Sequence, residues 1–392
     1  MIDTSEDLRA VARALADADG PVAVDVERAS GFRYSSRAYL VQVHRAGVGD
    51  VLIDPPAVGD MAPLQDAIGD AEWVFHAASQ DLPSLAELGL APPRLFDTEL
   101  SARLLGWDRV GLAAVVERTL GITLKKEHSA ADWSTRPLPQ SWLEYAALDV
   151  AHLLEVREAI AEELEQTGKD EWAHEEFEAV RTREPKAPAS EPWRKLTGSR
   201  RRSRRALAIA KALWESRDAL ARERDVAPGR LVPDRALSAA VAAAPKTKGE
   251  LAALKEFTGR ASRTELDRWW SALDGGRTTD DLPVERVPGD ALPPVRAWAA
   301  RRPEADHRLK VARPAVEAHA EFLSLPTENL LTPDHLRRVA WEPPRSLDPA
   351  AIGDELHELG ARDWQVDQTA PLISRAFVEA AQSPEAPLSD AS

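Results

Sequence analysis

The stretch EPKAPASEP (residues 184–192) holds three prolines in nine positions, and the pattern of apolar residues changes across it. Before it, runs with a period of two alternate with runs of helical period; after it, no convincing strand pattern appears. Prolines fix φ and withhold backbone donors, so this short polar segment does not suit the inside of a packed element. It reads as a linker between independently packed units. The chain is therefore expected to fold as an α/β unit followed by helical units. Its 392 residues suffice for two or three cores.

In the first unit PVAVDVE (21–27) alternates valine with other residues, 38–43 is rich in β-formers, and VLI (51–53) is a third short apolar run. Three strands joined by short loops predict an antiparallel meander. A helix fits 60–69, a short buried strand fits WVFH (73–76), and helices fit most of 79–165, which gives an α/β domain with a mixed sheet. Beyond the linker, Leu207, Ala210, Leu213, Trp214 and Leu220 share one helical face, and a further helix is expected to start near Pro233 and Asp234. Thr247 with Glu250, and Ser262 with Glu265, have the spacing of capping boxes, with Gly259 as a helix stop between them. The expected organisation is an α/β domain over 1–183, a linker over 184–192, a helical domain over 193–275, a linker over 276–294, further helices over 295–383 and a tail over 384–392.

Charge divides along the same boundary. Residues 1–183 carry 17 Lys/Arg against 33 Asp/Glu, whereas 184–392 carry 33 against 32, so the net charge of −15 belongs to the first half. Within the second half, residues 186–225 hold twelve Lys/Arg and five Asp/Glu, with GSRRRSRR at the centre. Such a stripe suits a polyanion or a merely solvated helix face. No run of about 18 uncharged apolar residues exists to span a membrane, and the acidic start MIDTSEDLRA lacks the basic region of an export signal, so a cytoplasmic location is expected. Cysteine is absent, which excludes thiolate nucleophiles and sulfur-ligated zinc. Any metal must then sit on carboxylates or histidines.

The carboxylates fall in a pattern. Asp25 and Glu27 are two apart on a strand, and the strand period sends both side chains to one face while Val22, Val24 and Val26 face the other. Two acids in so small a volume repel, and either solvent on an edge strand or a bound hard cation can compensate. Asp81 follows the 73–76 strand and precedes Pro83, a position equally ordinary for the first turn of a helix. His76 at the strand end suits a satisfied polar residue as well as a ligand. Tyr145 and Asp149 stand i, i+4 on an alanine-rich helix, so phenol and carboxylate lie on one face a single turn apart. Alone, that spacing fits ordinary packing.

Taken in order, D-x-E on a strand, an aspartate after a later strand and Y-x-x-x-D on a helix resemble the tyrosine branch of the DEDD 3′-to-5′ exonucleases. The surrounding segments VAVDVERASGFRYSSRAYLVQVH, WVFHAASQDLPSL, LFDTELSARLLG and DWSTRPLPQSWLEYAALDVAHLL are similar to ribonuclease D. That likeness covers essentially all of 1–180. Residues 193–275, with PWRKLTG and LWESRDALARERDVAPGRLVPDRAL, resemble the helicase-and-RNase-D C-terminal (HRDC) domain, and 295–383 occupies the place of a second, HRDC-like helical domain. Many relatives carry Asp-Thr-Glu where this chain has Val26 in the middle, a side chain that the strand period turns away from the acids.

The resemblance implies a ribonuclease H-like (DnaQ-like) α/β fold followed by all-α HRDC bundles, and a metal-dependent 3′-to-5′ exoribonuclease acting on structured RNA such as tRNA precursors. The same chemistry on DNA, or an inactive nucleic-acid-binding scaffold, are the alternatives. No membrane partner and no obligatory protein partner are indicated. By the family pattern Asp25, Glu27, Asp81 and Asp149 would hold two divalent cations, Mg²⁺ or Mn²⁺, about 3.5–4 Å apart. Asp25 would bridge both, Glu27 and Asp149 would complete the site that activates water, and Asp81 would reach the second ion through water. Tyr145 would position the attacking water, since a phenol of ordinary pKa about 10 is a poor base at neutral pH. For the RNA backbone the candidates are Arg200, Arg201, Arg202, Arg204 and Arg205; Lys125, Lys126 and Arg136, in the sequence leading to the Tyr145 helix, are candidates for steering substrate, and His76 is a further nucleic-acid candidate. Trp133 is a candidate for stacking a base or for a structural role.

Overall fold

The computed structural model describes residues 1–124, 131–184, 190–198, 203–285 and 292–382. The first domain is built on a five-stranded sheet of order β3-β2-β1-β4-β5, with β1 Val22–Arg28, β2 Ala38–Arg45, β3 Gly49–Ile53, β4 Glu72–Phe75 and β5 Arg94–Asp97. The meander expected for β1, β2 and β3 is antiparallel throughout, and β4 and β5 join parallel to β1, which makes the sheet mixed. Val22, Val24 and Val26 are buried, as the period of two requires. The fifth strand lies in a region read from sequence as mostly helical. RLFD is four residues long, too short for periodicity to separate strand from helix, and its strand state comes from pairing with β4. The helix expected over 60–69 spans Ala62–Ile68.

The first helical domain has its own core around Trp193, Leu207, Leu213, Leu220, Phe257 and Trp269. Leu207, Ala210, Leu213 and Leu220 all face into it from the long helix Arg204–Arg224, and the next expected helix spans Asp234–Ala243 with Pro233 before it. Thr247 accepts from the Glu250 amide as a cap, but the second expected capping box does not form. Ser262 is buried inside the short helix Arg260–Thr264, and Gly259 stands at the start of that helix and does not stop one. Glu265 stands between two helices, as the cap that ends Arg260–Thr264 and the one that begins Leu266–Thr278. Among the described residues this domain meets the first at the loop of residues 31–35. Tyr34 Oη bonds Asp218 at 3.0 Å and accepts from Arg222, Asp225 accepts from the Tyr34 and Ser35 amides, and Arg230 lies 3.8 Å over the Phe32 ring.

The third unit follows the element order of the second without a counterpart of Arg260–Thr264: a long helix Pro303–Phe322, a single turn Thr327–Leu330, a helix Pro333–Trp341, a further helix Pro349–Glu358 and a closing long helix Asp363–Gln382. Its helices pack mainly on one another, and their buried residues, Trp298, Leu309, Ile352 and Phe377 among them, are continuous with the buried cluster around the β-sheet. Polar contacts fix the junction. Lys169 Nζ is buried and donates to the carbonyls of Leu104 (2.7 Å) and Leu323 (2.8 Å), one at each of two helix C-termini. Gly106, at φ 73°, lies against the Ser324 carbonyl so closely that no side chain fits. Among the described residues no helix is long and apolar enough to cross a membrane.

Candidate active site

The end of β1 supplies Asp25 and Glu27, and the helix Gln140–Ala151 packs across β1, β2 and β3 to bring Asp149 to them. One carboxylate oxygen from each of the three lies within 4.8 Å of the others. Tyr145, one turn before Asp149, hydrogen-bonds its carboxylate. With Asp81, Arg28 and His76 these residues line a cleft of about 340 Å³. The strand period and the i, i+4 helix spacing thus place the side chains as expected.

Asp81 departs from the usual role of an acid at a helix start. It precedes the helix Leu82–Glu87, yet its side chain caps no amide there. It stands instead in the cleft, 3.4 Å from Arg28 Nη2 and outside the Asp25, Glu27 and Asp149 cluster.

Burial raises every one of these acids, and repulsion from neighbouring carboxylates raises Glu27, Asp81 and Asp149 further. Glu27 is pushed up to about 10, first by burial and then by the charges of Asp25, Asp149 and Asp81. Asp81 is raised to about 9 and Asp149 to about 8, each by burial and then by Asp25. Asp25 is raised by burial as well, and its Oδ2 accepts from Gln42 Nε2 at 3.3 Å. Burial and neighbouring anions also push Tyr145 above its ordinary value, so the phenol stays protonated at neutral pH. Four hard oxygen donors that resist ionising together, with no sulfur ligand available, fit divalent cations of the Mg²⁺ type.

Two residues that hold the cleft were not singled out from sequence. Gln42 is the register partner of Asp25 on β2 and fully buried, a lone amide in the apolar run AYLVQV. Asp97, also buried, accepts from the amides of Ala77, Ala78, Glu99 and Leu100 at 2.8–3.1 Å. It joins the end of β5 to the loop that carries Asp81, in which Ala77 takes a left-handed φ of 70°.

The nucleic-acid candidates fare unevenly. His76 reaches the cleft wall, with Nδ1 2.8 Å from Thr98 Oγ1, and burial lowers its pKa to about 4, so it is neutral. Arg136 has all five donors engaged, on the Asp54 carboxylate and the carbonyls of Trp133, Thr135 and Tyr39. These contacts within the fold occupy the guanidinium that the sequence offered for steering substrate. Trp133 is fully buried and edge-on to Trp142, so it cannot stack on a base. Arg204 donates to the carbonyls of Leu282 and Pro283, and Arg205 to those of Gly276 and Thr279. Arg200, Arg201, Arg202, Lys125 and Lys126 lie outside the described residues.

Comparison with known proteins agrees with this site. Residues 1–165 match a family described as 3'-5' exonuclease, 206–273 match the HRDC domain, and 291–377 match a family described as 3' to 5' exonuclease C-terminal domain. A ribonuclease D of Jannaschia sp. (strain CCS1) is 31% identical over 328 residues, 81% of this chain and 83% of that protein. Another, from Sphingobium indicum, is 34% identical over 241 residues, 59% of this chain and 61% of its own. A protein from Bifidobacterium adolescentis superposes with TM-score 0.88 at 39% identity over 96% of each chain. Escherichia coli RNase D, described as an exoribonuclease involved in structured RNA processing, superposes with TM-score 0.70 at 26% identity over 97% of this chain and 98% of its own. With its acids, its tyrosine and its HRDC domain in the order expected of that fold, the chain belongs to the ribonuclease D family of 3′-to-5′ exoribonucleases.

Proposed function

We propose that the chain trims the 3′ ends of structured RNA, tRNA precursors among them, with two divalent cations, Mg²⁺ or Mn²⁺, held by Asp25, Glu27, Asp81 and Asp149. The observation that carries this reading is the convergence of Asp25, Glu27 and Asp149 beside a protonated Tyr145. When bound, the cations would offset the repulsion among the acids and supply Lewis acidity at the phosphate and at water. Tyr145 donates its proton to Asp149, and its oxygen accepts from the attacking water and aims it. A water oxygen bonds to phosphorus, the bond from phosphorus to the 3′ oxygen breaks, and that oxygen takes a proton. A nucleoside 5′-monophosphate leaves and a new 3′-hydroxyl remains.

The basic stripe around residues 200–205 suits the RNA backbone electrostatically, since each phosphate it neutralises releases counterions. The similar element order of the third unit supports reading it as a second HRDC-like domain packed against the nuclease. A decisive experiment incubates end-labelled structured RNA and DNA of matching sequence with Mg²⁺ or Mn²⁺. We expect 3′-to-5′ shortening of RNA, release of 5′-mononucleotides, arrest by EDTA and no turnover by Asp25→Asn. Shortening of DNA alone would overturn the RNA assignment, and near-wild-type turnover by Asp25→Asn would overturn the metal assignment.

A further inference from the structure

Strict alternation along β1 assigns Asp25 and Glu27 to one face and Val24, Val26 and Arg28 to the other. The valines obey and Arg28 does not. Its side chain lines the same cleft as the acids, with Nη2 3.4 Å from Asp81 Oδ1 and Nη1 donating to the Gln80 carbonyl. The reason lies in the sheet. Glu27 pairs with Leu40 but Arg28 pairs with Ala38, so Tyr39 is an extra residue on β2 at this step. A bulge of this kind adds local twist and re-aims the neighbouring side chain.

Among the described residues lining the cleft, Arg28 is the one cation, because His76 is neutral. Its charge acts on Asp25, Glu27 and Asp81 alike. Four carboxylates and two divalent cations sum to zero, so a loaded site without Arg28 would present no net charge to a phosphodiester. Arg28 supplies the single positive charge that matches it. A planar guanidinium is also suited to pairing with two phosphate oxygens, and here it rests on partners it can leave: one long ion pair and one carbonyl.

Building on the function proposed above, we propose that Arg28 is a catalytic residue that touches the substrate: its guanidinium passes from Asp81 to the non-bridging oxygens of the scissile phosphate at the RNA 3′ end. There it stabilises the negative charge that builds as water adds to phosphorus. It forms and breaks no covalent bond itself.

The test uses the full chain with Arg28→Gln, Arg28→Lys and the wild type. RNA binding is followed against salt concentration in Ca²⁺ and in EDTA, Mn²⁺ binding is titrated without RNA, and kcat/KM is measured in Mg²⁺. For Arg28→Gln we expect kcat/KM to fall about 10²- to 10³-fold. The slope of log affinity against log salt should drop by about 0.7, the value for one lost phosphate contact on a single strand. Mn²⁺ affinity should hold or rise, and Arg28→Lys should recover the salt slope with only part of the rate, since lysine keeps the charge without the fork. An Arg28→Gln variant with an unchanged salt slope, or one whose loss of rate follows loss of Mn²⁺ affinity, would reduce Arg28 to an ion-pair partner of Asp81 and overturn the proposal. Should the wild type fail to shorten RNA, the function proposed above falls, and the salt slope still decides whether Arg28 meets a phosphate.

Discussion

At the scale of single residues, the cleft concentrates carboxylates that each raise the cost of ionising the next. The sign of the resulting pH dependence follows. Glu27 at about 10, Asp81 at about 9 and Asp149 at about 8 hold protons more tightly folded than unfolded. Their contribution to stability is therefore complete below about pH 4, the ordinary carboxylate range, and is lost as pH rises through those folded values. Without metal, the melting temperature should decline between pH 5 and pH 9; Glu27→Gln should flatten the decline, and Mg²⁺ or Mn²⁺ should abolish it. Thermal melts in EDTA and in each metal check this, and a metal-free protein whose stability rises across that range would contradict it. Tyr145→Phe keeps the ring and loses the water-aiming oxygen, so we expect kcat to fall about 10²-fold with Mn²⁺ affinity retained. Single-turnover rates set beside a Mn²⁺ titration separate the two effects. Asp25, Glu27, Tyr145 and Asp149 were legible in the sequence because their spacings match the strand and helix periods. Arg28 was not, because the same strand period points it away and only the irregular pairing at Tyr39 turns it back.

At the scale of elements, placement of Asp81 depends on a loop that cannot hold itself. Ala77 adopts a left-handed conformation that a side chain disfavours, and the turn after it is a single 3₁₀ segment, Ala78–Gln80. Asp97 supplies the restraint by accepting two amides from this loop and two from the helix Thr98–Leu104. Asp97→Ala leaves buried amides without an acceptor and should cost about 2 to 4 kcal/mol. Asp97→Asn keeps the volume but offers one acceptor oxygen in place of two. It should remain folded with slower turnover, because Asp81 is held less firmly while Asp25, Glu27 and Asp149 stay in place. A circular-dichroism melt with a steady-state assay tests both, and an Asp97→Asn enzyme of wild-type rate would remove the positioning role. Sequence could not single out this aspartate. It precedes a helix, where aspartate is an ordinary cap, and its second pair of amides comes from a strand order that only the folded sheet reveals. For the same reason the sequence shows Arg136 as a candidate for steering substrate and hides its partners Asp54 and Tyr39, which lie far away in the chain.

At the scale of the whole molecule, the described residues form one buried cluster that runs through the nuclease and the third unit and another within the HRDC domain. The apolar face of a helix shows that it is buried without showing against what, so the continuity of the first cluster was not legible, whereas the separate core of the HRDC domain was. The junction between nuclease and third unit is both polar and aromatic. Arg362 pairs with both oxygens of the buried Glu176 at 2.5 Å, Trp364 Nε1 donates to the same carboxylate at 3.1 Å, and the Trp172 and Trp364 rings stack at 4.8 Å. The HRDC domain instead meets the nuclease at the 31–35 loop, by hydrogen bonds and by Arg222 and Arg230 over the Tyr34 and Phe32 rings. Heating should therefore give two transitions. Only the nuclease with its third unit should shift upward in Mg²⁺ or Mn²⁺, because a ligand stabilises the unit that binds it. Arg362→Ala leaves the Glu176 carboxylate buried with one donor and should cost about 3 kcal/mol, a downward shift of several degrees confined to the metal-sensitive transition. Calorimetry of the full chain with and without metal reads both shifts. If Arg362→Ala moved the metal-insensitive transition, or if both transitions moved with metal, the third unit would not be part of the nuclease fold, and the catalytic cleft would owe it nothing.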